Sequence, residues 1–185
     1  MTIKFAFLAA GALGLSLSAI AQTPAAAPAN PISASNAKMY NLLSGIVIAA
    51  AQKMPEENYS FHPTPDVRTF GQLVGHLADS QYYFCSLAAE ETRSSGGVEK
   101  NKTSKADLVA ALKDAVAYCN QKYAAMTDAK GGESVKLMNM DFARMSVLTG
   151  NIAHDYEHYG NMVTYMRIKG IIPPTSEKES APAQK

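Results

Sequence analysis

The sequence predicts an all-α protein folded as a four-helix bundle. Its 185 residues are 47% hydrophobic, enough to build one well-buried core and little more. The chain has no tryptophan and many residues that favour helices, such as Ala, Leu, Met, Glu and Lys. Four segments of about 20 residues place apolar side chains three, four and seven positions apart, as amphipathic helices do. That pattern is typical of helices packed into a bundle.

The first 21 residues have the features of a signal peptide. Lys4 precedes an apolar stretch over residues 5–17, and Ala19-Ile20-Ala21 matches the small-x-small pattern of a cleavage site. The alternative is an uncleaved membrane anchor, for which the apolar stretch is short. We therefore predict an exported protein, periplasmic or secreted, whose mature chain starts near Gln22.

The folded domain is predicted over residues 34–172, between two flexible segments. Residues 22–33 are rich in Pro and Ala and carry no charge, which is typical of a linker. Residues 173–185 are polar and interrupted by proline, and are predicted to be a flexible tail. The net charge of +1 provides no basic surface, so we expect no nucleic-acid partner, and no membrane contact after signal cleavage.

The first helix is predicted over residues 35–54, because Pro55 ends the helical pattern. Its apolar face consists of Met39, Leu42, Leu43, Ile46 and Val47. A connection containing two prolines follows, which excludes regular helix there. The second helix is predicted over residues 70–91. Its apolar stripe consists of Leu73, Leu77, Phe84 and Ala88.

The third helix is predicted over residues 104–127. Ser104 and Asp107 form a capping box in which Asp replaces the usual Glu. Gly131-Gly132 interrupt the chain, and the fourth helix is predicted over residues 140–169. Gly170, followed shortly by two prolines, is a strong signal for its end.

Three of the four histidines are candidate metal ligands. His154 and His158 are four residues apart, so both imidazoles lie on one helical face and can bind one ion. His76, on the flank of the second helix, is the candidate third ligand. The alternative is that these are hydrogen-bonded core or surface histidines without a metal. His62 lies in a loop and is not expected to be a ligand.

The run HDYEH also matches a peptidase pattern, H-x-x-E-H. It differs from the related H-E-x-x-H pattern by having Asp155 in place of Glu. Both patterns require a further ligand downstream. The acids that follow His158, Glu177 and Glu179, lie in the predicted tail, so a peptidase is not expected.

An ordered set of motifs resembles the DinB/YfiT-like proteins of the DinB superfamily. The run HDYEHYGNMVTYMRIKGIIPP is similar to the last helix of that family, with HxxxH, Gly-Asn, Tyr-x-Arg and Gly-x-x-Pro-Pro in order. The run FHPTPDVRTFGQLVGHLADSQYYF resembles the entry to its second helix, which carries the first metal-binding histidine. The preceding KMPEENYSF fits as well. The resemblance covers about residues 36–175.

This resemblance implies a bundle of up-down-down-up connectivity. It also implies a divalent metal, zinc or nickel, held by His76, His154 and His158 with one coordination position open. Family members include thiol S-transferases and a thiol-dependent isomerase. Asn161 stands where many members have Gln, which we expect to change hydrogen bonding around the ligands at most.

Three functions remain open at this point. The first is a metal-dependent hydrolase or thiol S-transferase acting on a small molecule. The second is a non-catalytic protein of the envelope that binds metal or a small ligand, and the third is a bundle whose histidines bind nothing. Candidates for proton transfer are Asp79, Tyr83, Glu157 and Tyr165, and each also has a simpler explanation, solvation for the two acids and packing for the two tyrosines. Bundles whose helices expose apolar flanks often dimerise, so a homodimer is a further expectation that the sequence does not decide.

Cys85 and Cys119 are the only cysteines. Each lies about 15 residues into its predicted helix, so parallel helices would place the two thiols at similar heights, whereas antiparallel helices would separate them by roughly 13 Å. Export would favour a disulfide. Two inert buried thiols are the alternative.

Overall fold

The computed structural model describes residues 29–92 and 96–177. The predicted signal peptide, most of the predicted linker and the end of the tail lie outside them. The elements are α1 (Pro31–Lys53), α2 (Phe70–Ala89), α3 (Val98–Asn101), α4 (Lys105–Ala125), α5 (Asp128–Gly131), β1 (Ser134–Leu137), β2 (Met140–Ala143) and α6 (Arg144–Ile168). Within the described ranges, no helix combines the length and hydropathy needed to cross a bilayer.

The four long helices form the predicted bundle, in which α1 and α2 each pack against both α4 and α6. Helices α2 and α4 are parallel, because Gly71 and Leu108 approach at their first turns and Cys85 is bonded to Cys119 near their last turns. Helix α6 runs antiparallel to α2, with Arg144 at its start donating to the Ala88 carbonyl at the end of α2. The up-down-down-up connectivity is confirmed.

The disulfide between Cys85 and Cys119 decides between the two predicted states of these cysteines. Their Cα atoms are 5.4 Å apart, within the usual range for a disulfide, and both residues are fully buried. The bond therefore joins the parallel pair α2 and α4 inside the core.

Helix α1 begins earlier than predicted. Pro31 occupies the first turn, where its missing N–H costs nothing. The next two N–H groups, of Ile32 and Ser33, donate to the Asp128 carboxylate at 3.1 and 2.7 Å. The prediction that residues 31–33 belong to a flexible linker was therefore wrong, because a carboxylate distant in sequence caps this helix end.

The predicted apolar face of α1 is partly wrong as well. Met39 and Leu42 are 47% and 60% exposed, although the sequence pattern assigned both to the core. The bundle instead buries Tyr40, Leu43 and Val47, together with Ser44, Ala50 and Ala51. The buried stripe is thus rotated by about one residue from the predicted one.

The ends of α2 and α4 follow local capping chemistry. Thr69 and Gln72 form a reciprocal capping box at the start of α2. Ser104 caps α4 as predicted, since its hydroxyl accepts the Asp107 N–H at 3.1 Å. Helix α2 ends before Glu90, which adopts a left-handed conformation with φ 55°.

The start of the fourth helix was predicted wrongly, because residues 140–143 form a strand. In the antiparallel hairpin of β1 and β2, Val135 pairs with Phe142. Met138 and Asn139 form the two-residue turn with φ of 51° and 63°, the conformation of a type I′ turn. Asn favours that conformation but Met does not, so only one of the two turn residues indicates the turn in the sequence.

The C-terminal end of α6 is as predicted, with Gly170 in the left-handed conformation at φ 73°. The predicted flexibility of residues 173–177 was wrong. This segment contains the 3-10 turn Pro174–Ser176, and the hydroxyls of Thr175 and Tyr159 are hydrogen bonded at 2.8 Å. Glu177 pairs with Lys53 of α1, which attaches the segment to the bundle.

Candidate metal centre

Three histidines converge at the interface between α2 and α6. The Nε2 atoms of His76 and His158 each lie 3.1 Å from Nε2 of His154. One ligand atom from each of the three lies within 4.8 Å of the others. The predicted pairing of the i, i+4 histidines on α6 with His76 on α2 is therefore confirmed as a geometric cluster.

The spacing of the donors on either side of His154 fits one ion. Two nitrogens bound to zinc at about 2.0–2.1 Å with a tetrahedral angle lie about 3.3 Å apart. The two 3.1 Å separations are close to that value. Neutral imidazoles suit zinc and nickel, and three of them leave a coordination position for a water or a substrate.

The opposite ring nitrogens show which lone pairs are available. Nδ1 of His76 lies 3.2 Å from Oε2 of Glu99, so Nδ1 carries the proton and Nε2 keeps its lone pair. The side-chain amide of Asn161 lies 3.4 Å from Nδ1 of His158, and Nε2 of His158 keeps its lone pair when the amide oxygen is the group that accepts the Nδ1 proton. Nδ1 of His154 is buried without a partner among the described residues.

Electrostatics keep the three rings neutral. Burial lowers the pKa of His76, and the nearby Arg68 lowers it further. Burial, with His158 and His76 adding to it, lowers the pKa of His154 to about 4. Burial also lowers the pKa of His158. At neutral pH the site therefore offers three lone pairs rather than three positive charges.

Asp79, a candidate for proton transfer, has a different role. Its two carboxylate oxygens accept the N–H groups of Val98 and Glu99 at 2.9 and 3.0 Å. This caps the short helix α3 and holds it against α2. Gly75 makes the approach possible, because a Cβ there would lie 2.6 Å from Cα of Glu99. Asp79 and Gly75 thus place Glu99 beside His76.

Two further candidates for proton transfer make no hydrogen bond to the histidines. Glu157 is exposed, although its charge acts on the neighbouring His158. Tyr83 is 44% exposed and packs edge-on against Phe84, with ring centroids 5.2 Å apart. The aromatic side chain that does contact the site is Phe84, whose ring centroid lies 5.6 Å from that of His154.

Tyr165, the fourth candidate, fixes the loop before α2. Its hydroxyl donates to the backbone carbonyl of Arg68 at 2.9 Å, and its ring packs edge-on against Phe61. Arg68 in turn donates from Nε to Oε1 of Glu99 at 2.8 Å. Tyr165 therefore positions the residue that pairs with Glu99 instead of touching the site itself. His62, in the same connection, is exposed and lies outside the cluster, as expected.

A buried polar network lies behind the histidines and was not predicted. Gln81 donates to both carboxylate oxygens of Asp155 at 2.8 and 2.9 Å and accepts from Tyr40 and Asn151 at 2.9 Å. Burial raises the pKa of Asp155 to about 7. The two hydrogen bonds to Gln81 show that Asp155 points into the core. It does not take the position of the base Glu of the H-E-x-x-H pattern. Because the network joins α1, α2 and α6, it fixes the register of the helices that carry the histidines.

Glu99→Gln is expected to weaken metal binding about 10-fold, since a charged acceptor on a ligand histidine raises its basicity and holds its orientation. The metal affinity of untagged protein, measured by competition with a chromophoric chelator, tests this. Glu57→Gln removes one exposed carboxylate elsewhere and should leave the affinity unchanged. Equal affinities for the two variants would contradict the role assigned to Glu99.

Comparisons with known proteins agree on one family. The family model described as DinB superfamily matches residues 45–162. The chain is similar in structure to a DinB-like protein from Bacillus cereus ATCC 10987, with a TM-score of 0.68 and 15% identity over 76% of this chain and 95% of that one. A DinB-like protein from Bacillus subtilis, YjoA, gives a TM-score of 0.64 and 17% identity over 78% and 99%. No curated protein matches the sequence.

Proposed function

This chain belongs to the DinB superfamily, and on that premise we propose that it is an exported metal-dependent enzyme, a hydrolase or thiol transferase, with a divalent ion held by His76, His154 and His158. The observation that carries the proposal is the convergence of three neutral imidazoles through their Nε2 atoms. Zinc or nickel is the expected metal. The substrate is a small molecule.

A divalent ion bound to three nitrogens supplies Lewis acidity to a water or a thiol at its open position. The protein groups around it orient the ligands. Glu99 accepts the Nδ1 proton of His76, and Arg68 holds Glu99 in that position. The ring of Phe84 packs against His154, with the two ring centroids 5.6 Å apart.

A second candidate is a non-catalytic protein that binds metal or a small ligand. The observation that favours it concerns the four groups nominated for proton transfer. Asp79 caps α3 and Tyr165 binds a backbone carbonyl, while Tyr83 and Glu157 are exposed. None of these four makes a hydrogen bond to the triad, so turnover would rely on substrate groups or on solvent for proton transfer.

Protein purified without a histidine tag separates the candidates. We expect about one zinc or nickel ion per chain. For the enzyme, we also expect turnover in an ester, amide or thiol-conjugation panel that a chelator abolishes and the metal restores. Metal at full occupancy without turnover in either panel would favour the binding protein. Protein that binds no added metal would contradict the enzyme and the metal-binding form of the second candidate, and would leave only the binding of a small ligand.

The proposal of export rests on residues outside the described part of the chain. It is supported by the buried disulfide, because such bonds persist in oxidising compartments. The intact mass of protein recovered from the cell envelope tests it, since the chain should start near Gln22. A full-length mass beginning at Met1 would contradict cleavage.

A further inference from the structure

A cavity of about 710 Å³ lies next to the metal centre, on the Nδ1 side of His76. It is formed where the loop before α2, the short helix α3 and the start of α4 meet. The polar side chains that line it include Arg68, Thr69, Glu99, Lys100, Lys102 and Thr103. Arg68 and Glu99 form the wall that separates the cavity from the histidines.

The charge of the cavity is strongly unbalanced. Among the described residues that line it, three side chains are cations and Glu99 is the one acid. Both oxygens of Glu99 are engaged, one by Arg68 and the other by His76. Among the described residues, neither Lys100 nor Lys102 forms an ion pair. Two lysines therefore face a polar cavity without a countercharge from the protein.

Arg68 has donors left for a ligand. Its Nε is hydrogen bonded to Glu99, whereas no hydrogen bond from either terminal nitrogen is found within the described residues. Those two nitrogens form the face of the guanidinium that binds carboxylates and phosphates in a bidentate manner. The hydroxyls of Thr69 and Thr103, which also line the cavity, add donors suited to an oxyanion.

The cavity is also coupled electrostatically to the metal centre. Arg68 donates to Oε1 of Glu99 at 2.8 Å, and Oε2 of the same carboxylate lies 3.2 Å from Nδ1 of the ligand His76. An anionic group bound at Arg68 would therefore lie close enough to the metal site for the two charges to interact.

We infer that this cavity binds an oxyanion group of the substrate, a carboxylate or a phosphate, so that the metal centre acts on small molecules that carry such a group. The inference rests on the proposed function for the role of the metal. The binding of the oxyanion itself depends only on Arg68, Lys100, Lys102 and the space that they enclose.

The first experiment uses metal-free protein and two probes, inorganic phosphate and succinate, in titration calorimetry at low salt. We expect saturable binding of at least one probe, and the preferred probe identifies the group as phosphate or carboxylate. In the double variant K100A/K102A, binding should weaken at least about tenfold, because each charged hydrogen bond contributes substantially. The double variant K38A/K113A, which removes two exposed lysines elsewhere, should bind like the wild type. Absence of binding, or equal binding by both variants, would overturn the inference.

The second experiment uses cobalt-loaded protein and follows the thiolate-to-cobalt absorption band as thiols are added. A thiol that carries carboxylates, mercaptosuccinate, should bind at least about tenfold more tightly than neutral 2-mercaptoethanol, and K100A/K102A should remove that advantage. Equal affinity of the two thiols for wild-type protein would overturn the substrate role. Failure of cobalt to bind would instead contradict the proposed function, and the first experiment would still decide whether the cavity takes oxyanions.

Discussion

Replacing His154 with alanine is expected to lower the affinity for zinc or nickel by more than about 100-fold. Loss of a partner that merely orients a ligand typically costs 10–100-fold, so loss of a ligand should exceed that range. His154 is the central member of the triad, because its Nε2 lies 3.1 Å from the Nε2 atoms of both His76 and His158. Without His154, the two remaining ligands, His76 and His158, lie on different helices. No third Nε2 atom then lies between theirs.

The chain offers a matched control in His62. This residue is exposed in the connection before α2, with Nδ1 2.7 Å from the Thr64 carbonyl oxygen. His62→Ala removes an imidazole without touching the triad and should leave metal content unchanged. The thermal unfolding of each metal-free variant shows whether the fold is intact. If a folded His154→Ala protein kept wild-type affinity, the three-histidine site would be wrong.

The sequence predicted the ligands because their arrangement depends on local geometry. His154 and His158 must share a helical face whatever surrounds them, since they are four residues apart on α6. His76 was a candidate because it lies on the flank of the second helix, and the resemblance to a family added that this helix faces the fourth, which spacing along the chain does not determine. The bundle was likewise predicted from local patterns and from the resemblance, that is, from long amphipathic segments and from an ordered set of motifs.

The surroundings of the ligands were not predictable, because they depend on contacts distant in sequence. Glu99 lies 23 residues after His76 on a four-residue helix without periodicity, and Asp79 places it there. Asp79 itself was nominated for proton transfer because it lies one turn from a ligand, and only the folded structure shows that a backbone segment occupies its carboxylate. Gln81 and Asp155 likewise have polar side chains that no hydrophobic pattern would place in a core.

The largest expected loss of stability follows from removing the disulfide. The double variant Cys85→Ala/Cys119→Ala should lower the free energy of unfolding by about 3–4 kcal/mol, the value that the chain-entropy model gives for a closed loop of this length. The bond encloses a sequence separation of 34 residues and joins two parallel helices whose first turns also touch. Opening it frees the connection from α2 to α4 in the unfolded chain, and leaves the folded bundle to hold that pair by packing alone. Chemical denaturation, followed by circular dichroism, measures the change.

Reduced wild-type protein is the control that separates the bond from the space that its sulfurs fill. Both cysteines are completely buried, so alanine also leaves a small cavity, whereas reduction keeps the sulfur atoms in place. If the bond is responsible, reduced wild type should lose most of the same free energy, and metal affinity should change much less than stability, because the triad lies between α2 and α6 and not between α2 and α4. Equal unfolding midpoints for oxidised and reduced protein would contradict this account and would leave packing between the two helices as the source of their stability.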